Sequence, residues 1–230
     1  MLQWVYERAL SSGARDVLIA TDDAAIAAAA GNFGAGARMT SGTHASGTDR
    51  LAELAAIERW PEADIVVNVQ GDEPLIPPAI IRQVASLLDS DSEAAIATLA
   101  TPVESLAEFL DPNAVKVVAD AKGRALYFSR APIPWDREGA ASGLSSQRSF
   151  AGARRHIGLY AYRVGALRRL AALAPSALEQ REKLEQLRAL ENDLAIVVGD
   201  AAERPGQDVN TPQDLERARA LLEQPAGGAV

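Results

Sequence analysis

At 230 residues, with 48% hydrophobic and 23% charged content, the chain reads as a globular protein long enough to bury a sizeable core. It has no cysteine, which excludes disulfides, thiol nucleophiles and thiolate-bound metal, so any metal must be held by oxygen or imidazole and a hard cation such as magnesium is the default. The 31 acidic against 23 basic residues leave a net charge of −8, which argues against nucleic acid as the main partner but leaves room for a local basic site that holds a small anion.

No run approaches the roughly 20 apolar residues that a membrane helix needs, and no secretory apolar region opens the chain, so a cytoplasmic protein without membrane insertion is expected. Residues 2–10 place Leu2, Val5 and Ala9 at helical spacing before Gly13, a stop signal. "DVLIATDD" is a buried strand ending in carboxylates, followed by a helix over "AAIAAAA", a short segment near "ARMT" and the loop "TSGTHASGTDR". "RLAELAAIE" is an amphipathic helix, "DIVVNVQ" a strand, "PPAIIRQVASLL" a helix and "AAIATLAT" a strand. This alternation predicts an α/β fold with a mainly parallel sheet and helices on both faces.

The middle of the chain changes character. "AVKVVADAKGRALYFSR" turns at Lys122 and Gly123 between two β-rich runs, which predicts a hairpin, and residues 137–153 have the small and polar composition of a mobile loop. "RHIGLYAYRV" is a strand, two helices fill about 164–191, and "AIVVG" is a late strand. In "NTPQDLERARALL" Thr211 suits the N-cap, Pro212 the first helical position and Asp214 the acid of a capping box. The tail 223–230 is expected to be disordered.

In an open parallel sheet, ligands bind beyond the carboxyl ends of the strands. There "DIVVNVQ" runs into Gln70, Gly71, Asp72, Glu73 and Pro74. A plain loop accounts for these residues, with Gly71 as a permissive turn and solvated carboxylates. The functional alternative is that Asp72 offers oxygen to magnesium beside a phosphate while Gln70 points its amide into the same cleft.

The segments "HASGTDRLAE", "NVQGDEPLIPP", "DPNAVKVV", "ALYFSRAPIPWDR", "RHIGLYAYR", "LEQREKLEQLRAL" and "VNTPQDLE" occur in this order. Together they closely resemble the 3-deoxy-manno-octulosonate (Kdo) cytidylyltransferases, or CMP-Kdo synthetases, from Met1 to about Leu222. The resemblance implies a Rossmann-like nucleotidyltransferase domain over 1–222, with a subregion over 115–190 that carries the hairpin, the sugar pocket and the contacts of a homodimer. It also implies an enzyme that couples CTP to Kdo for lipopolysaccharide biosynthesis and releases pyrophosphate. The anomeric hydroxyl then attacks the α-phosphorus in line, so catalysis is positioning and charge neutralisation without a covalent nucleophile.

By the same resemblance Asp72 is a catalytic magnesium ligand and Gln70 contacts the sugar. Ser46, Gly47, Thr48 and Arg50 belong to the nucleotide site, although Thr48 capping the following helix is the competing structural role. The sugar acid needs a cation and hydrogen-bonding groups. Arg130 can grip a carboxylate bidentately, His156 and Tyr160 lie four apart on one strand face, and Glu185 and Gln186 match the family's contacts to the sugar hydroxyls.

Two departures matter. The family opens with a strand and a phosphate-gripping loop, whereas Met1 falls where the following helix should start. A start assigned too far downstream accounts for this more simply than a deletion through the centre of a sheet, which would leave two strand edges open between "DVLIATDD" and "DIVVNVQ". The family's late V-D-T-P reads Val209, Asn210, Thr211, Pro212 here, so Asn210 offers the metal a carbonyl oxygen without charge, and Asp208 is its substitute. Competing functions are activation of a related sugar acid, amino-Kdo or sialic acid, and a non-catalytic interaction subunit.

Overall fold

The computed structural model describes residues 1–44, 46–139, 142–143 and 146–222, so the predicted tail and four positions of the predicted mobile loop lie outside the described residues. The chain divides into two compact units. One comprises Met1–Trp60, Asn68–Gln83 and Ala202–Val230, the other Pro61–Val67 and Val84–Ala201. The whole 115–190 subregion falls in the second.

In the first unit, α1 (Leu2–Ser11) buries Val5 and Ala9, and Gly13 follows at φ +85°, a conformation that suits glycine at a helix end. Arg82 donates from Nε to the Ser12 carbonyl at 2.8 Å and from Nη2 to the Ser11 carbonyl at 3.4 Å, a cation at the negative end of the helix. β1 (Leu18–Thr21) pairs in parallel with β2 (Gly36–Met39), Leu18 opposite Gly36. Between them α2 (Ala24–Asn32) starts on the Asp23 carboxylate, which accepts from the Ala25 amide at 2.6 Å and the Ile26 amide at 3.3 Å. α3 (Gly47–Ile57) and α9 (Pro212–Leu222) belong to the same unit.

The second unit is built on a six-stranded sheet of order β6-β5-β7-β4-β8, with β3 (Ile65–Asn68) also paired to β7. Its centre is β4 (Ile96–Pro102), buried from Ile96 to Thr101, antiparallel to β7 (Arg154–Arg163) and parallel to β8 (Ile196–Asp200). β5 (Lys116–Ala119) and β6 (Ala125–Ser129) form the predicted hairpin, with Gly123 at φ +80° and Asp120 accepting from the Lys122 and Arg124 amides, each at 2.8 Å. The fold is α/β as the sequence implies, and this sheet is mixed because hairpin and β7 both run antiparallel to their neighbours. α4 (Pro78–Asp89) is divided between the units at Gln83, and α5 (Leu106–Leu110) and α6 (Val164–Ala172) complete the helices up to residue 172.

The structure revises two sequence readings. "DVLIATDD", read as a buried strand, is half-buried from Leu18 to Ala20 in β1 and buried only at Thr21. Residues 164–191 form three helices and not two: after α6, α7 (Ala177–Glu182) ends at Lys183 in the left-handed conformation, φ +55°, before α8 (Gln186–Glu191). Helix-favouring composition in "LEQREKLEQLRAL" hides a break that tertiary bonds impose.

Candidate active site

In the first unit the chain leaves β3 through Gln70, which is exposed, and Asp72, which is half-buried. The Val209 amide donates to the Asp72 carbonyl at 2.8 Å. That one bond brings Asp72 beside Asp208 and Asn210, residues more than 130 positions away in sequence. The Asn210 amide donates to the Asp208 carboxylate at 2.8 Å, so these two side chains are already coupled. The Asp214 carboxylate accepts from the Thr211 amide at 2.9 Å while the Asp214 amide donates to the Thr211 hydroxyl at 3.2 Å, the capping box read from the sequence, which fixes the loop's exit.

Glu73, given no role from sequence, reports the local field. Burial first, then the Asp72 and Asp208 carboxylates, push its carboxyl up to about 7. The loops therefore gather negative charge that a cation would relieve. Among the described residues no group of three or more carboxylate or imidazole side chains stands ready to hold a metal by protein ligands alone. Magnesium bound by one or two carboxylates together with phosphate oxygens does not need such a group, and Asp72 with Asp208 or Asn210 fits that donor set.

The nucleotide segment of this unit sits at the start of α3. Ser46, not Thr48, is the N-cap, its hydroxyl accepting from the Asp49 amide at 3.1 Å, and Thr48 lies inside the first turn, 3% exposed. The helix starts two positions earlier than a Thr48 cap would have it, which puts Thr48 inside the first turn with its side chain buried. Arg50 binds the Thr40 hydroxyl at 2.6 Å and the Asp22 carboxylate at 3.1 Å, so strand β1 and the α3 helix are tied through the cation assigned to the nucleotide. His44 contacts Glu53, whose carboxyl is held below the usual range first by that bond and then by the Ser41 amide.

In the second unit His156 and Tyr160 meet on one face of β7, with ring centroids 5.3 Å apart. Four residues of regular strand span roughly 13 Å, so spacing alone does not bring them into contact. A bulge does: Leu99 of β4 faces Ile157 and the preceding residue, Thr98, faces Tyr160, leaving Gly158 and Leu159 opposite no β4 residue. Phe128 packs edge-on against the His156 ring at 4.9 Å. Burial lowers the His156 value to about 3, so the imidazole is neutral at physiological pH. Burial, then the Tyr162 hydroxyl and the Glu185 carboxylate, push the Tyr160 hydroxyl well above the ordinary tyrosine range, which also places Glu185 in its surroundings.

Arg130 follows β6 in the same unit. Its guanidinium donates to backbone carbonyls, from Nε to Glu182 at 2.6 Å, Nη1 to Pro112 at 2.9 Å and Nη2 to Lys183 at 3.5 Å. Its amide and the Ser129 hydroxyl donate to the Glu182 carboxylate at 3.0 and 2.7 Å. The long Nη2 bond is the one a ligand carboxylate would most easily replace. Beneath it lies Lys116, fully buried, with Nζ donating to the carbonyls of Asp111 at 2.8 Å, Ala114 at 2.5 Å and Arg130 at 2.8 Å. Three carbonyls satisfy its three protons, and desolvation still lowers its pKa.

Glu185 and Gln186 stand at the start of α8. The helix is held to α7 by Arg188, whose Nε and Nη2 donate to the two Glu179 oxygens at 2.8 and 2.5 Å. Gln186 is 8% exposed, and its side-chain amide has no hydrogen-bond partner among the described residues.

Comparison with known proteins gives this geometry a family. A cytidylyltransferase family model matches residues 1–196. The chain is 54% identical to a 3-deoxy-manno-octulosonate cytidylyltransferase of Thioalkalivibrio sulfidiphilus, over 96% of this chain and 88% of that protein. It is 53% identical to the enzyme of the same name from Vibrio parahaemolyticus, over 98% of this chain and 89% of that protein. The chain belongs to the 3-deoxy-manno-octulosonate cytidylyltransferase family. A solved structure of CMP:2-keto-3-deoxy-manno-octonic acid synthetase complexed with CTP superposes with a TM-score of 0.85 at 40% identity, covering 97% of this chain and 87% of that one. A 4-diphosphocytidyl-2C-methyl-D-erythritol synthase, 15% identical with a TM-score of 0.57, shares the fold alone.

Within this cytidylyltransferase the sequence reading missed Glu73, Thr98, Lys116, Glu182 and Arg188. Glu73 and Lys116 lie inside quoted motifs and carry charge next to apolar runs, a signal that was available. Thr98 carried none, because a threonine in a buried strand is ordinary.

Proposed function

We propose that this chain transfers CMP from CTP to the anomeric hydroxyl of Kdo, giving CMP-Kdo and pyrophosphate for lipopolysaccharide assembly. The observation that carries the reading is the bond from the Val209 amide to the Asp72 carbonyl. It gathers Asp72, Asp208 and Asn210 in a chain more than half identical to cytidylyltransferases of that name.

Asp72, with Asp208 or Asn210, would hold magnesium, which when bound neutralises charge on the triphosphate and the leaving pyrophosphate. The chain's own groups supply the remainder. Ser46 and the exposed Gly47 open α3, glycine allowing a nucleotide to come close to the backbone, and Arg50, paired with Asp22, brings positive charge there. Gln70 offers an exposed amide to the sugar. In the second unit Arg130 takes the sugar carboxylate, while His156, Tyr160, Glu185 and Gln186 take hydroxyls. No side chain serves as a covalent nucleophile. Magnesium is the cofactor of this reading, a homodimer its assembly and the cytoplasm its compartment; no helix among the described residues is long and apolar enough to cross a membrane.

The test is pyrophosphate release from CTP and magnesium with Kdo, amino-Kdo or sialic acid offered separately, and molar mass by light scattering. Turnover with Kdo far above the other two is expected, from a particle of twice the chain mass. Turnover only with another acid would move the substrate, and a folded protein with no turnover on any of the three would refute the enzymatic reading.

A further inference from the structure

The hydroxyl of Thr98 stands at the centre of the β7 bulge. It is fully buried and lies 2.8 Å from the Leu159 carbonyl, 3.0 Å from the Ile157 carbonyl and 2.9 Å from His156 Nε2. A hydroxyl has one proton, and carbonyl oxygens only accept. If that proton were given to His156, both carbonyls would face hydroxyl lone pairs at hydrogen-bond distance with nothing between them. The proton therefore goes to the carbonyls, and Oγ1 is left as an acceptor. A neutral imidazole has one N–H, which must then sit on Nε2 and donate to Thr98. Nδ1 is a bare lone pair, and it has no hydrogen-bond partner among the described residues.

We propose that Thr98 is a positioning residue that fixes His156 as its Nε2–H tautomer, so that Nδ1 is presented as an acceptor to a hydroxyl of the sugar acid. The inference rests on the functional reading above for the identity of the ligand, but not for the tautomer. The tight carbonyl contacts explain why a hydroxyl is needed at this position: the bulge that draws His156 and Tyr160 together also turns the Ile157 and Leu159 carbonyls onto Thr98. Burial of the ring keeps it from recruiting a second proton, which would convert the acceptor into a donor. A sugar hydroxyl bound at Nδ1 is thus recognised as a donor.

The experiment is long-range ¹⁵N NMR of the full chain with labelled histidine. The chain has two histidines, and H44N assigns the pair. The Nε2–H pattern is expected for His156 and should persist at pH 5.5, where an ordinary histidine is mostly protonated. T98V should lose the fixed tautomer and raise KM for Kdo about tenfold, the effect of one hydrogen bond, with kcat and the KM for CTP changed less than twofold. T98S should restore both readouts. An Nδ1–H or doubly protonated His156 in the wild type at pH 7 would overturn the proposal without any variant. So would a folded T98V that keeps the Nε2–H pattern and the wild-type KM. A wild type that fails to turn over Kdo yet shows the Nε2–H signal would refute the sugar contact together with the functional reading, while upholding the tautomer.

Discussion

Arg188 and Glu179 make the most exacting test of how the second unit presents Gln186. Their side chains are only 7% and 13% exposed, and they form two bonds of 2.8 and 2.5 Å. Removing either partner leaves the other buried charge without its main counter-ion, which costs about 3–5 kcal/mol. Arg188 also lies 3.9 Å from the Glu185 carboxylate and donates to the Leu170 and Leu173 carbonyls at 3.5 and 3.4 Å, all longer than its two bonds to Glu179. Glu179 also accepts from the Ser176 amide at 2.9 Å to complete a capping box, so E179A loses a cap worth about 1 kcal/mol in addition. E179A is therefore expected to lose more stability than R188M, and E179L/R188M to recover most of it, because a volume-matched apolar pair leaves no stranded charge. Urea unfolding followed by far-ultraviolet circular dichroism at pH 7.5 measures all three.

The pH dependence has a definite sign. The bond to Arg188 holds the Glu179 carboxyl below its ordinary value, so its contribution is complete above the unfolded carboxylate pKa and disappears as pH falls through the lower folded value. The difference between wild type and E179L/R188M should therefore shift against the wild type in acid. Single variants that each cost less than about 1 kcal/mol, or a double variant as unstable as the sum of the singles, would refute the claim that α8 is held by a buried ion pair. Looser α8 should also raise the KM for Kdo in R188M.

D72N should lower kcat at least a hundredfold with an unchanged circular dichroism spectrum, checked by pyrophosphate release; near-normal turnover would remove Asp72 from the metal site. N210D adds a charge beside Asp208 and should lower the magnesium concentration for half-maximal rate several-fold, read from a magnesium titration. K116M strands the carbonyls of Asp111, Ala114 and Arg130 and should cost about 2–4 kcal/mol in urea unfolding, since each lost charge-assisted bond is worth about 1.5–3 kcal/mol before relaxation. His156 has a folded value of about 3 against an ordinary 6.5, so its contribution to stability is complete above 6.5 and is lost as pH falls toward 3. The urea midpoint of the wild type should accordingly fall more between pH 7 and 5 than that of H156Q.

Much of this protein was determined by local chemistry, and those parts were legible from the sequence. The hairpin at Gly123, the α1 stop at Gly13, the Asp214 capping box and the alternation of strand and helix each depend on backbone preferences within a few residues. The site residues came from a resemblance in seven ordered segments, and periodicity alone supplied only the shared face of His156 and Tyr160.

What the sequence left open required partners distant in the chain. The break at Lys183 overrides helix propensity where the Glu179 and Arg188 bond folds α8 back on α7. The sequence shows that Arg130 can grip a carboxylate bidentately, but not that its guanidinium is already engaged by the carbonyls of Pro112, Glu182 and Lys183. The distance between His156 and Tyr160 depends on a bulge set by pairing with β4, which no pattern of period two can reveal, because an inserted pair of residues leaves the alternation of faces intact. Local preference fixes which way a side chain faces; only long-range packing decides how near it comes to the next one.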